Sequence, residues 1–268
     1  MPHDAVVAGL WRYPVKSMQG ERLQEAALER DGIAGDRTRA VVDLASGRVL
    51  NAKREGRLLE ASARLAAGDA GATPLVAVPG HAEVAADEPQ LDGWLSAWLG
   101  REVSMQRPDG VRRSLTAMPA DFEDDDSDEI EWRMRPGRFH DLAPVHVLTT
   151  ASLRTMAAAA PVLDWRVRRF RPTILLDVGD ADGFVEQDWV GAAIHIGAAA
   201  MVTVRKPTVR CVMTTRSQPP SGDDSPIDRQ LDVLRTLHAR TDSRLGVYGN
   251  VEVPGAIAIG DPVTIERR

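Results

Sequence analysis

The fold class of this chain follows from one stretch, AIHIGAAAMVTV at residues 193–204. Two apolar segments, 193–196 and 199–204, flank Gly197, and this pattern is typical of two strands joined by a turn. The apolar run is too short to cross a membrane and is followed directly by two cations. The stretch therefore predicts a hairpin of buried strands.

Further short strands are predicted on both sides of this hairpin. Ala5 to Tyr13 is largely apolar and ends at Pro14, a residue that central strands avoid. Three more short strands are predicted near the end of the chain, around 245–253, 257–259 and 263–265.

Three helices interrupt the strands. Leu and Trp recur at three- and four-residue spacing over 91–99, and Gly100 follows as a typical helix end. Residues 150–160 and 227–240 are predicted as the second and third helix. Because strands dominate and no regular strand–helix alternation is present, the sequence predicts a β-rich α+β fold with a barrel-like sheet.

Charge and cysteine content exclude several classes of function. The 268 residues include 33 Lys and Arg against 39 Asp and Glu, an acidic balance that argues against nucleic acid as a partner. A single cysteine excludes an intrachain disulfide and a cysteine-ligated zinc finger or iron–sulfur cluster. Residues 1–4 lack the basic region and apolar stretch of a signal peptide, so we expect a cytoplasmic protein with no membrane partner.

The acidic charge is concentrated in one segment. Asp121 to Glu131 holds eight acidic residues among 11 and no basic one. Two interpretations stay open for it: a solvated loop, or a docking surface or flap for a basic partner or pocket.

Cys211 is the most informative single residue. It follows Arg205, Lys206 and Arg210, and cationic neighbours favour the thiolate form of a cysteine. A thiolate is a soft metal ligand or a nucleophile, whereas an inert buried cysteine is the alternative. His140 and His146 are interpreted as packing or hydrogen-bonding residues, because their spacing places them on no common helical face.

Basic and hydroxyl residues elsewhere indicate an anion-binding pocket. Four arginine residues fall within 166–171, and the guanidinium fork suits bidentate recognition of phosphate. Thr150 and Ser152 lie at a predicted helix start, where free backbone N–H groups favour anions. Lys16 and Ser17 follow the first apolar strand. For the arginine cluster, a solvated face with its stems on the core is the alternative.

The order of these segments resembles the MOSC family, in the subgroup with an N-terminal β-barrel domain, and is similar to the mitochondrial amidoxime-reducing component and its bacterial relatives. The segments that carry the resemblance are Tyr13 to Ser17, Gly35 to Arg37, Phe139 to Asp141, Leu148 to Leu153, Arg169 to Pro172, Arg210 to Thr214, Gly246 to Asn250 and Gly260 to Val263.

The resemblance implies two domains and a cofactor. Residues 1–104 would form the N-terminal MOSC-type β-barrel domain, and 105–268 the MOSC β-barrel with peripheral helices. The cofactor would be molybdopterin with molybdenum, and Cys211 would be both the metal ligand and the catalytic residue. The residues expected to line the cofactor are Lys16, Ser17, Arg37, Thr150, Ser152, Arg171, Thr173 and Arg210. Thr173 stands where the reductases of the family have Asn.

The resemblance also implies a function. A molybdenum-dependent oxidoreductase would reduce N-hydroxylated or N-oxygenated small molecules. Its electrons would come from a separate donor protein, because the chain contains no further cysteine for an iron–sulfur cluster. Two alternatives stay open: a sulfurase-like carrier of molybdenum cofactor or sulfur, and a non-enzymatic small-molecule binding module.

Overall fold

The computed structural model describes residues 5–66, 71–110, 113–117, 130–134, 137–222 and 224–267. The strands in these residues are β1 Ala5–Arg12, β2 Glu21–Leu23, β3 Glu25–Glu29, β4 Gly32–Ile33, β5 Ala40–Asp43, β6 Ser62–Arg64, β7 Leu75–Ala77, β8 Val84–Ala85, β9 Val103–Gln106, β10 Ser114–Ala117, β11 Ile130–Arg133, β12 Val145–Thr149, β13 Ile174–Asp177, β14 Ala193–Ile196, β15 Ala200–Val209, β16 Arg244–Val253, β17 Gly255–Ala258 and β18 Pro262–Glu266. The α-helices are α1 Pro89–Leu99, α2 Thr150–Ala159 and α3 Leu231–Thr241. Single-turn 3₁₀ helices cover Gly56–Glu60, Val167–Phe170, Val185–Trp189 and Val212–Thr215.

Seven strands close into a barrel. Their order is β13-β12-β16-β15-β14-β18-β1, and β1 pairs back with β13. Every neighbouring pair is antiparallel except β12 with β13. Closure leaves the barrel without a free sheet edge. The β-rich α+β prediction is therefore confirmed.

The hairpin predicted at 193–204 forms one side of this barrel. β14 and β15 pair with Ile196 opposite Ala200, as the two apolar segments around Gly197 predict. Ile194, Ile196 and Val202 are fully buried in the barrel interior. Burial of these β-branched side chains on one face selects the register, since a slip of one residue would turn them outward.

The N-terminal residues build a second core. Small sheets of β5 with β9 and of β6, β7 and β8 surround it. Leu91, Leu95 and Leu99 share the buried face of α1 and pack into it, which confirms the predicted helix. Gly100 ends α1 in the left-handed conformation and donates its N–H to the carbonyl of Ser96.

Strand pairing crosses the predicted domain boundary at 104/105 in several places. β1 belongs to the barrel of the later strands, and β17 pairs with β3. The two-domain division of 1–104 and 105–268 stays a prediction, with strands exchanged between the two parts.

The third helix begins later than its apolar pattern predicts. Ile227 instead exchanges backbone hydrogen bonds with Gln218, and Gln230 donates its N–H to the carbonyl of Thr215. With these groups committed to the neighbouring loop, α3 starts at Leu231. The acidic segment predicted as loop or docking surface lies outside the described residues from 121 to 129. In the part of the chain that the structure describes, every helix is too short or too polar to traverse a lipid bilayer.

Candidate functional site

One cavity gathers most of the sequence-predicted site residues. The space between its protein atoms amounts to about 620 Å³ when the part open to solvent is included. Six of the predicted cofactor-binding residues line it: Lys16, Ser17, Arg37, Arg171, Thr173 and Arg210.

Three of these residues have an uncommon backbone conformation. Ser17, Arg37 and Arg171 have φ angles of 68°, 53° and 51°. Left-handed backbone is costly for residues other than glycine, and it concentrates where a site needs side chains in a set direction. The Ser17 hydroxyl oxygen accepts the N–H of Ala52 at 3.0 Å, which ties this loop to the N-terminal part of the chain.

The buried Lys16 side chain forms an ion pair at the cavity with Asp141, whose side chain is 41% exposed. The Lys16 ammonium group also donates to the carbonyl of Phe139 at 3.2 Å. Burial lowers the pKa of Lys16, while the Asp141 carboxylate acts against that shift. Burial alone would raise the pKa of Asp141, but Lys16 and Lys53 outweigh it and hold that pKa below its usual range. Asp141 is therefore ionised at neutral pH.

Two buried arginine residues face the cavity with unused N–H groups. Arg171 donates from Nη2 to the carbonyl of Met18 at 2.7 Å, and Arg210 donates from Nη2 to that of Phe170 at 2.7 Å. Within the described ranges, Arg171 Nη1 and Arg210 Nε have no hydrogen-bond partner. Burial lowers the pKa of Arg171 to about 10, so this side chain remains a cation at neutral pH.

His146 connects these two arginine residues. Its Nε2 accepts a hydrogen bond from Arg210 Nη1 at 3.3 Å, and its Nδ1 faces the carbonyl oxygen of Arg171 at 3.4 Å. Burial and the Arg210 charge lower the pKa of His146 to about 3. The ring is therefore neutral at physiological pH, in keeping with its interpretation as a hydrogen-bonding residue.

Cys211 lies beside the cavity wall. It is half-buried, and its neighbours Arg210 and Met213 line the cavity. Lys53 and Tyr248 lie near enough to interact electrostatically with Cys211. Burial raises the pKa of Tyr248 to about 12, so its hydroxyl stays protonated.

Sequence reasoning missed Lys53 and Tyr248, because only folding brings them to Cys211. Lys53 comes from the loop before Gly56–Glu60, and Tyr248 comes from β16. The sequence signal for Tyr248 is its place in the Gly246 to Asn250 segment; no comparable signal marks Lys53.

The structure places Thr150 and Ser152 away from the cavity. Their hydroxyls donate to Asp177 at 2.9 Å and to the buried Glu186 at 2.6 Å. Both residues lie in the first turn of α2, which follows the last residue of β12, whereas His146 lies near the first residue of that strand. At the usual rise per strand residue, about 13 Å separates His146 from Thr150. The predicted anion site at this helix start is therefore not part of the cavity.

The cavity has a positive net charge. Four cations line it, Lys16, Arg37, Arg171 and Arg210, against the two carboxylates Asp36 and Asp141, which leaves a balance of +2. A surplus of buried cations favours an anionic ligand, most strongly one with several oxygen acceptors.

Two family models match most of the chain. The MOSC domain model matches residues 135–264, and the MOSC N-terminal beta barrel domain model matches residues 4–102. The chain therefore belongs to the MOSC family, in the form that carries the N-terminal barrel domain. MOSC domains are associated with binding of the molybdenum cofactor.

Two solved structures show a distant likeness to the chain. The YuaD protein of Bacillus subtilis is 11% identical, with 100% of this chain and 99% of that chain covered and a TM-score of 0.44. YiiM of Geobacillus stearothermophilus is 18% identical, with 47% and 55% covered and a TM-score of 0.35. Likenesses at this level carry no argument about function. A comparison with curated proteins found no significant match.

Proposed function

We propose that this protein is a molybdenum-cofactor-dependent oxidoreductase that reduces N-hydroxylated or N-oxygenated compounds with electrons from a separate protein. The observation that supports the proposal is the cationic cavity beside Cys211, which contains buried guanidinium groups with unused N–H donors. The chain's membership of the MOSC family supports the choice of cofactor.

The residues of the cavity fit the chemistry of this cofactor. A phosphate group offers the acceptors that Arg171 Nη1 and Arg210 Nε lack among the described residues. Cys211 supplies a soft sulfur ligand next to them. The described residues contain no cluster of three or more His, Cys, Asp or Glu that could hold a metal ion by itself, so one thiolate plus a sulfur-bearing cofactor is the fitting donor set.

Specific side chains would hold the cofactor. Arg37, Arg171 and Arg210 would bind its phosphate and polar edge, and Cys211 would ligate the metal. The Thr173 hydroxyl is already committed, because it donates to the carbonyl of His146 at 3.0 Å and accepts that residue's N–H at 2.9 Å. Thr173 therefore shapes the cavity by joining the start of β12 to the segment before β13.

When bound, the cofactor supplies two-electron chemistry that removes the oxygen of the substrate as water. The overall reaction converts an N–OH group into N–H with two electrons and two protons. The protein's part is to orient and enclose the reactants. Tyr248 keeps the proton on its Oη at neutral pH, since burial raises its pKa to about 12, and it lies near Cys211.

The proposal is tested by cofactor content and turnover. The protein is expressed in a host that makes the cofactor, and molybdenum and pterin are measured in wild type, Cys211→Ala and the exposed neighbour variant Val209→Ala. We expect near-stoichiometric molybdenum in wild type and Val209→Ala, and little in Cys211→Ala. Loaded wild type should reduce an aryl amidoxime with an artificial electron donor.

Two results would contradict the proposal. Absence of molybdenum from wild type, in a host that loads a control molybdoenzyme, would exclude a resident cofactor. Full loading without turnover of any N-hydroxy compound, combined with release of the cofactor to an acceptor protein, would replace the reductase with the carrier function.

A further inference from the structure

A second cavity lies across Tyr13 from the first. It encloses about 1230 Å³ between protein atoms, part of it open to solvent, and Tyr13 lines it. The guanidinium groups of Arg37 and Arg171, which line the first cavity, lie over the Tyr13 ring at 4.4 and 4.1 Å from its centroid. The Tyr13 ring thus stands between the two cavities, so the function proposed above does not use the second one.

One wall of this cavity is apolar. Ala8 and Trp11 of β1 and Leu175 of β13 contribute to it, and they belong to the hydrophobic cluster on the outer face of the barrel. The opposite wall comes from the polar loop with Ser221 and Gly222. A flat apolar wall with an indole ring suits the face of a planar ligand.

Arg168 brings an unused buried cation to this cavity. Only 7% of the residue is exposed, and its Nη2 donates to the carbonyl of Ser225 at 3.1 Å. In the ranges that the structure describes, its Nε and Nη1 have no hydrogen-bond partner. Leaving buried N–H groups of a cation unpaired costs stability, so such groups call for an explanation.

Two neighbouring arginine residues, Arg166 and Arg169, differ from Arg168 in how their N–H groups are used. Arg166 is held by the carboxylate of Asp164 at 2.6 Å. Arg169 donates to the carbonyls of Asp164 and Thr214 at 3.0 and 2.9 Å. Their N–H groups serve the fold, whereas Nε and Nη1 of Arg168 have no partner among the described residues.

Among the described residues, the other charges around the cavity do not neutralise Arg168 fully. Glu21 is already paired with Arg12 at 2.9 Å and accepts the N–H of Leu65 at 2.8 Å. Arg22 lies over the Trp11 ring at 5.9 Å and adds positive charge. Asp224 attracts Arg168 electrostatically but is exposed to water, which weakens the attraction.

We propose that this cavity binds a small molecule with a flat apolar body and one carboxylate or phosphate group. The body lies against the wall formed by Trp11 and Leu175, and the anionic group accepts the free N–H donors of Arg168. This site is separate from the cofactor cavity, and its existence does not depend on the reaction proposed above.

Calorimetric titration with three probes tests the site. The probes are 2-naphthoate, 2-naphthyl phosphate and the neutral 2-naphthamide, added to the purified full chain. We expect one anion to bind at a single site, with the amide at least about tenfold weaker. The ratio of the two anionic affinities identifies whether carboxylate or phosphate is the preferred group.

Variants locate the binding. Arg168→Gln should weaken the anion about tenfold or more, while its neighbour Arg166→Gln and the surface variant Arg64→Gln, which removes an exposed side chain paired with Glu83, stay within about twofold of wild type. Lack of binding up to about 5 mM, wild-type affinity in Arg168→Gln, or loss of binding in Arg64→Gln would each overturn the proposal.

If Arg168→Gln does not fold, a second variant and an NMR measurement on wild type still test the site. Ala8→Leu adds bulk to the cavity wall and leaves every charge in place, so it should also abolish binding. In wild type, the indole N–H signal of Trp11, assigned with Trp11→Phe, should shift on titration. A Trp11 signal that stays unchanged while ligand binds elsewhere would contradict the site.

Discussion

A neutral histidine holds the two cavity arginine residues in position. His146 accepts from Arg210 and faces the carbonyl of Arg171, so a proton on Nε2 would remove the acceptor and set a cation against Arg210. Burial and that repulsion lower the pKa of His146 to about 3. Burial likewise lowers the pKa of His140 to about 4. Folding therefore excludes protons that the unfolded chain would bind.

This exclusion predicts a loss of stability in mild acid. Because the folded pKa of His146 lies below its unfolded value, stability is complete above about pH 6.5 and falls as pH drops toward the folded pKa. One such group contributes a slope of up to about 1.4 kcal/mol per pH unit. Urea unfolding of His146→Gln from about pH 7.5 to 4.5 should show a slope smaller by about that amount.

The matched control for this prediction is His195→Gln. His195 is 43% exposed and pairs with Glu266 on the surface. Comparison of the two variants separates the loss of the buried ring from the loss of a histidine on the surface. An unchanged slope in His146→Gln would show that the buried ring is protonated in the folded protein.

Substitution of Ser152 tests whether this residue stabilises the fold or binds the cofactor. Its hydroxyl donates to the fully buried Glu186, and burial raises the pKa of that carboxyl group. Ser152→Ala leaves Glu186 short of a donor, so we expect a loss of about 1–3 kcal/mol in the free energy of unfolding. Molybdenum content should not change. Thr150→Ala, whose partner Asp177 is only half-buried, should cost less than about 1 kcal/mol. If Ser152→Ala had reduced molybdenum content and wild-type stability, Ser152 would be a cofactor-binding residue, as the sequence predicts.

At the scale of the element, β16 needs glycine where it passes β12. Gly246 has a φ of +80°, and a Cβ there would lie 2.5 Å from Nε2 of His146 and 2.8 Å from the carbonyl oxygen of Val147. This close approach lets β12 and β16 pair while the His146 ring stays under Arg210. The strand geometry and the site geometry thus depend on the same residue.

Gly246→Ala is expected to cost about 2–4 kcal/mol, from backbone strain together with the steric clash. The control is Gly80→Ala, where φ is a similar +83° and no atom of the described residues lies within 4 Å of the new Cβ. That variant should lose only the backbone part, about 1–2 kcal/mol. Urea unfolding measures both; equal losses would show that the contact with His146 and Val147 relaxes at no cost.

At the scale of the whole molecule, the first strand completes a barrel built by the last half of the chain. Val7 and Leu10 of β1 are buried in the barrel core, and β1 pairs with both β13 and β18. Without β1, those two strands would present unpaired edges and an open core.

A fragment of residues 105–268 is therefore expected to lack a cooperative unfolding transition. A synthetic peptide of residues 4–13 should restore the transition by adding the missing strand, while a scrambled peptide of the same composition should not. Circular dichroism during thermal unfolding measures the result. A fragment that unfolds cooperatively alone would show that the barrel closes without β1.

Local patterns in the sequence are sufficient for elements whose stabilising contacts are close along the chain. The hairpin of β14 and β15 follows from apolar residues flanking Gly197. Helix α1 follows from leucine spacing and the αL residue Gly100. The start of α3 does not follow from the apolar spacing. Ile227 exchanges backbone hydrogen bonds with Gln218 across a loop, and the helical period of the sequence gives no sign of that pairing.

The sequence by itself determined the β-rich fold and most of the charged residues of the cavity, because strand and helix periods and short basic motifs are local properties. Only the tertiary structure brought Lys53, His146 and Tyr248 together around Arg210 and Cys211. It likewise places Thr150 and Ser152 away from the cavity, where their hydroxyls donate hydrogen bonds to Asp177 and Glu186. The physical reason is barrel closure: burial and long-range pairing decide which side chains meet, and neither is encoded in any single segment.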